Sequence, residues 1–135
     1  MMLHRRQFLS CSVTGLILAG AWVVASAQEY PAKPITFFVP FAAGSATDTL
    51  ARSLGQGITA ETRQNVVIDN RPGASGFIGA QAVAKAAPDG YTVLIATNTT
   101  HAANEHLFKK IPYDPIRDFT PVTALARGGQ VMVVN

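Results

Sequence analysis

Short apolar runs alternate with stretches of helical period along this sequence, and that alternation limits what the chain can fold into. Residues 35–39 (I-T-F-F-V), 66–68 (V-V-I) and 91–96 (Y-T-V-L-I-A) are β-branched and aromatic runs of the length expected for strands buried on both faces. After the first, Leu50, Ala51, Leu54 and Ile58 recur at helical spacing, which predicts a helix over 48–61, weakened by Gly55 and Gly57. After the second, an alanine-rich helix is expected over 78–87, with Ile78, Ala82 and Val83 on its buried side and Pro88-Asp89-Gly90 closing it. Strand, helix, strand, helix, strand implies an α/β fold: a parallel sheet with flanking helices on both faces and right-handed crossovers. A short helix over 103–108, a rigid connector at 111–115, an extended segment from Asp118 and a last strand over 131–134 complete the expected elements.

The end of the first strand is the first candidate site. Pro40 has no N–H and ends the ladder. Ala42, Ala43, Gly44, Ser45 and Ala46 carry almost no side chain, so a ligand can approach the backbone, and Thr47 or Asp48 can cap the helix that follows. Backbone N–H groups at a helix start, at the C-terminal end of a strand, favour anions. A strand–loop–helix unit that binds nothing fits this stretch equally well. The third strand delivers Thr97, Asn98, Thr99, Thr100, His101 and Asn104 to the same sheet edge. Their hydroxyls, amides and imidazole can line a neutral hydrogen-bonding pocket, or instead cap their own short helix.

Several chemistries are excluded or disfavoured. Gly73, Gly76 and Gly79 have the spacing G-x-x-G-x-x-G after the second strand, not the G-x-G-x-x-G of a dinucleotide site after the first, and Ser75 lacks the G-x-S-x-G context of a nucleophile elbow. These glycines suit a tight turn and close helix–sheet packing. A small secreted α/β hydrolase would have to use Asp48 and His101 as an acid–base pair, without a convincing nucleophile. His101 and His106 share a helical face poorly, so no metal site and no cofactor is expected.

Residues 1–27 read as an export signal: Arg5 and Arg6 in the basic start, an apolar run centred on 16–24, and Ala25-Ser26-Ala27 as a cleavage site, with the cut after Ala27. The Arg5-Arg6-Gln7-Phe8-Leu9 order also fits twin-arginine export, so both routes stay open. Cys11, the one cysteine, lies in this signal, which leaves the mature part without disulfides or a thiol nucleophile. Removing 27 residues from 135 leaves 108, enough for one small domain. That part keeps 9 Lys and Arg (11 less Arg5 and Arg6) against 8 Asp and Glu, and nothing in it suggests a nucleic-acid surface.

Seven motifs in order carry a resemblance: Y-P-x-K-P-I at 30–35, P-F-A-A-G-S-x-x-D-x-x-A-R at 40–52, N-R-P-G-A-S-G-x-I-G at 70–79, A-A-P-D-G-Y-T at 86–92, T-x-x-x-H-A-x-N at 97–104, P-Y-D-P at 112–115 and D-F-x-P-V at 118–122. Together they resemble the substrate-binding proteins of tripartite tricarboxylate transporters, the Bug or TctC family. The resemblance implies a periplasmic, two-lobed, type II binding-protein fold that captures a small carboxylate for the membrane components of such a transporter and is not an enzyme. It implies that 28–135 is part of the first lobe, that the second lobe is absent, and that the piece alone is a non-binding fragment as an alternative. It places ligand contacts on Ala43, Gly44, Ser45 and Asp48 of the first loop and on Thr97, Asn98, Thr99 and His101 of the later one. Two departures stand out: Gly44-Ser45 where the family has Gly-Gly, and Asn104-Glu105 where it often has Asn-Pro.

Overall fold

The strand at Ile35–Val39 (β1) alternates buried and half-buried residues along its length, as a central strand between two helical layers should. It pairs in parallel with Val66–Asn70 (β2) on one side and Thr92–Leu94 (β3) on the other, giving the order β2–β1–β3. The chain is seen here in a computed structural model that describes residues 29–129; the expected export signal and the strand over 131–134 lie outside those residues. The helix Ala46–Thr62 (α1) connects β1 to β2, and Phe77–Ala84 (α2) connects β2 to β3 across β1. With right-handed crossovers, that order puts α1 and α2 on opposite faces of the sheet.

The α1 face holds the core. Ile35, Phe37 and Val39 of β1 are buried with Ala51 and Ile95, and Leu54, Ile58, Val66, Ile68 and Val93 pack around them. The opposite face is thinner. Phe38 lies there under the Arg71 guanidinium, 4.8 Å from its ring, and Val67 is half exposed. β3 is shorter than the expected 91–96 run, yet the ladder continues past both ends: Thr36 N–H donates to the Tyr91 carbonyl at 2.8 Å and Ile95 N–H to the Phe38 carbonyl at 3.0 Å. At the other end of the sheet, the lead-in 30–34 is tied to the α2–β3 turn. Tyr30 Oη donates to the Gly90 carbonyl (2.7 Å), Ala32 N–H to Tyr91 Oη (2.9 Å), and Lys33 pairs with Asp89 (2.9 Å).

Three expectations need correction. α1 starts at Ala46, not at 48, because Ser45 is its cap: Ser45 is extended (φ −68°, ψ 162°) and its Oγ accepts the Asp48 N–H. α2 starts one residue early and ends at Ala84, and of the residues expected on its buried side Ala82 and Val83 are half-buried but Ile78 is not. Gly79 and Ala80 are buried while Ile78 is half exposed. The cause is close approach: a Cβ on Gly79 would sit 3.1 Å from Pro40 Cα and 3.3 Å from the Arg71 carbonyl oxygen. Only the smallest residues can lie on that face, so the larger Ile78 rotates out. The short helix is Asn104–Leu107 (α3), and it is preceded by a wide helical turn over Thr99–Ala103.

Two glycine substitutions separate crowding from backbone freedom. Gly57→Ala, on α1 with no atom within 4 Å of its added Cβ, should raise stability by about 0.5–1 kcal/mol. Gly79→Val should lower it by about 1–3 kcal/mol through overpacking against Pro40. Urea midpoints of the two variants against the parent check both signs.

Candidate functional site

In the order β2–β1–β3, the chain leaves β1 toward β2 and later returns to the other side of β1. Loops after β1 and β3 therefore diverge, and in open α/β sheets this reversal is where a ligand crevice forms. Three loops meet at that C-terminal edge: 40–48 after β1, 70–79 after β2 and 95–104 after β3.

The first loop is built around an inward carboxylate. Gly44 has φ +83°, a backbone open to glycine, and its N–H donates to Asp48 Oδ2 at 2.8 Å. Asp48 is 2% exposed. Arg52 Nε donates to the same oxygen at 2.9 Å, and Asn70 Nδ2 donates to Oδ1 at 2.9 Å and also to the Phe41 carbonyl at 3.2 Å. Arg52 Nη2 closes the ring by donating to Asn70 Oδ1 at 3.2 Å. The hydrogen bonds from Arg52, Gly44 and Asn70 hold the Asp48 pKa down to about 2, against the opposing effect of desolvation. Ser45 N–H is used by the Ala42 carbonyl, and Asp48 N–H by Ser45 Oγ. The N–H groups of Ala46 and Thr47, the first two of α1, have no intrahelical acceptor, as at any helix start. Ala42, Ala43, Gly44 and Ala46 beside them are exposed.

The loop after β2 is left-handed. Gly73, Ala74, Ser75 and Gly76 all have positive φ. A Cβ on Gly76 would sit 2.7 Å from Thr100 Cγ2, so this turn packs directly under the third loop. Asn104 is fully buried, and its Nδ2 donates to the Ser75 carbonyl at 2.9 Å.

In the third loop the Thr100 hydroxyl is the hub, not Thr97, Asn98 or Thr99. It accepts the Thr97 N–H at 3.1 Å, lies 3.0 Å from the Thr97 carbonyl oxygen and 2.9 Å from His101 Nδ1. Tyr113 Oη, itself buried, donates to the Thr100 carbonyl at 2.7 Å. His101 is half-buried against the edge of Phe119 (4.7 Å between ring centroids), and desolvation lowers its pKa below the ordinary imidazole value. Near neutral pH it is an uncharged hydrogen-bonding group. Asn98 is exposed, Thr99 is half-buried, and Thr97 Oγ1 is buried without a protein partner, as is Asn104 Oδ1. Neither helical turn in this segment has a side-chain cap, while the Thr100 hydroxyl does bond local backbone at Thr97.

The structure thus brings both groups of expected residues to one edge of the sheet. It does not join Asp48 and His101: the carboxylate is occupied by Gly44, Arg52 and Asn70, and the imidazole Nδ1 by Thr100. Sequence reasoning missed the parts played by Arg52 and Asn70; it named Ala46 for its small size, Thr47 as a possible cap and Thr100 only as one of the polar group after the third strand. The i,i+4 spacing of Asp48 and Arg52 was a usable signal; nothing local points to Asn70. Two open hollows flank α1, one bordered by Leu50, Leu54, Ile58 and Leu125, the other by Arg52, Gln56, Val66 and Ile68. The second reaches the strand-end loops only through Arg52.

The sequence profile described as Tripartite tricarboxylate transporter family receptor matches residues 50–135. The chain belongs to that receptor family. It is 40% identical to the protein BugT of Bordetella pertussis over 127 residues, which make up 92% of this chain and 39% of BugT. Among solved structures, MatC from Rhodopseudomonas palustris with bound malate is similar, with a TM-score of 0.68 at 43% identity, over 71% of this chain and 33% of MatC. A second, described as a periplasmic transporter, has a TM-score of 0.67 at 50% identity, over 70% of this chain and 32% of its own. An R. palustris protein with adipate has a TM-score of 0.62 at 43% identity, over 64% and 29% of the two chains. The chain therefore spans well under half the length of these relatives, and what it matches is the first part of the receptor fold: a parallel sheet with flanking helices, as expected.

In this receptor chain the Asp48 carboxylate has a pH signature. Its pKa is depressed in the folded state, so the stability it contributes is present above the unfolded value and is lost as pH falls from about 4 through about 2. Asp89 and Asp114, also lowered, add to the same acid limb. Asp48→Asn should be less stable at pH 7 and should lose less between pH 4 and 2 than the parent. Denaturant midpoints across that range check this; an unchanged acid limb would contradict it.

Proposed function

We propose that this chain forms the carboxylate-receiving part of a periplasmic solute receptor. The observation that carries the reading is the pair of acceptor-free N–H groups at the start of α1, Ala46 and Thr47, placed at the sheet reversal beside small exposed residues. Two adjacent donors at the positive end of a 17-residue helix suit one carboxylate group. Ala43, Gly44 and Ser45 let the ligand come close. Thr97, Asn98, Thr99 and the uncharged His101 line the other side of the crevice, with Asp48 as the buried support of the first loop. The MatC structure with malate and the R. palustris structure with adipate share this fold at 43% identity, which favours a small dicarboxylate.

Binding, not turnover, is the role. Ser75 is drawn into a left-handed turn by Asn104, and Asp48 and His101 have other partners, so no nucleophile with an adjacent base is assembled at this edge. Read as an export signal, residues 1–27 support a periplasmic mature chain, with the membrane components of a tripartite tricarboxylate transporter as its partners. Ser45 stands where the family pattern has glycine and supplies the helix cap; its Oγ accepts the Asp48 N–H, which leaves its own O–H to donate toward the ligand.

Calorimetric titration of the full chain with L-malate, adipate and their dimethyl esters tests this. The acids should bind and the esters should bind at least about 10-fold more weakly, since each charge-assisted hydrogen bond lost costs about 1.5–3 kcal/mol. Equal affinity for acid and ester, or no binding of any small carboxylate, would overturn the reading.

A further inference from the structure

Asp48 matches the family's D-x-x-A-R motif, but its side chain is 3% exposed and both carboxylate oxygens are taken from within the chain. Its donors come from three places: the loop itself (Gly44), the second turn of α1 (Arg52) and the end of β2 (Asn70). We propose that Asp48, Asn70 and Arg52 form a positioning network that shapes the 42–48 loop from the β2 side, and that Asn70, outside the loop, is a positioning residue for ligand capture. What the loop captures rests on the carboxylate reading above; how the loop is held does not.

The chemistry of the loop explains why it needs holding. Asp48 is the third residue of α1, so its carboxylate stands within reach of the same helix start that is to receive a ligand carboxylate. Left free, it is an internal competitor for those donors. Asn70 Nδ2 draws Oδ1 toward β2, and Arg52 Nε neutralises the charge from the helix side. Oδ2, the oxygen that Arg52 also binds, takes the Gly44 N–H and holds that residue at φ +83°. The Gly44 N–H is thereby turned toward Asp48 while those of Ala46 and Thr47 stay open. Asn70 is also anchored to the first loop directly through the Phe41 carbonyl, so one amide side chain ties the ends of β1 and β2 together. No steric contact does this work at Gly44, where an added Cβ would meet nothing within 4 Å.

Amide hydrogen exchange on the ligand-free full chain tests the network without assuming a ligand. The Gly44 amide should be protected in the parent, and Asn70→Ala should speed its exchange by about tenfold relative to the Phe37 amide in β1, which reports general opening. Arg52→Gln, at a half-exposed side chain that leaves the core untouched, should do the same to a smaller degree and covers the case in which Asn70→Ala fails to fold. Unchanged Gly44 exchange in Arg52→Gln, or equal acceleration of Gly44 and Phe37 in both variants, would overturn the proposal. L-malate titrations of the same proteins separate the two ideas. Affinity should fall in the order parent, Arg52→Gln, Asn70→Ala. Selective Gly44 acceleration with no malate affinity in the parent would support the network as a loop-holding device and count against the carboxylate reading. Selective acceleration with affinity equal in all three would refute the role of Asn70 in capture.

Discussion

A carboxylate removed from water is tolerated only where hydrogen-bond donors replace the solvent. Asp48 meets that condition with a backbone N–H, a guanidinium and a side-chain amide, and these come from separate parts of the fold. The pairing does more than satisfy Asp48. It ties down the chain as it leaves β1 through Gly44 and links β1 to the neighbouring strand through Asn70. The arrangement of donors at the sheet edge follows from it.

The rest of that edge is shaped by size. α2 can approach Pro40 because Gly79 has no side chain, and the left-handed turn before it fits under Thr100 because Gly76 has none. Asn104 then bonds the Ser75 carbonyl, so the loop after β2 forms the floor on which the loops after β1 and β3 stand. None of these contacts involves an exposed charged group. At this edge the Asp48 charge is paired with Arg52, and the start of α1 adds a local positive end.

Much of the fold was legible in the sequence. The apolar runs gave β1 in full, and the alternation gave the parallel sheet, because the period of hydrophobic residues reports directly on burial. In α2 one inward residue was misplaced: periodicity points large apolar residues inward, and here steric closeness of Gly79 to Pro40 leaves Ile78 turned out. The cap at Ser45 was missed because Thr47 and Asp48 are equally good capping types, and only the backbone angle at Ser45 separates them. At the site, the small-residue loop and the polar loop were visible as local composition. The roles of Asn70 and Thr100 were not, since one acts across 22 residues on Asp48 and the other through a hydroxyl shared between Thr97 and His101. The motif order carried the family; it did not distinguish a residue that meets the ligand from one that holds the loop.

The central claim is that open backbone donors at the start of α1 receive a carboxylate, and a proline at position 46 tests it most directly. Proline is well tolerated at the first position of a helix and lacks only the N–H in question. Ser45 before it already has the extended backbone that a following proline prefers. Ala46→Pro in the full chain should therefore melt at or above the parent's temperature while its L-malate affinity falls by about 10- to 100-fold. An Ala46→Pro protein that stays folded and binds malate as tightly as the parent would contradict the account.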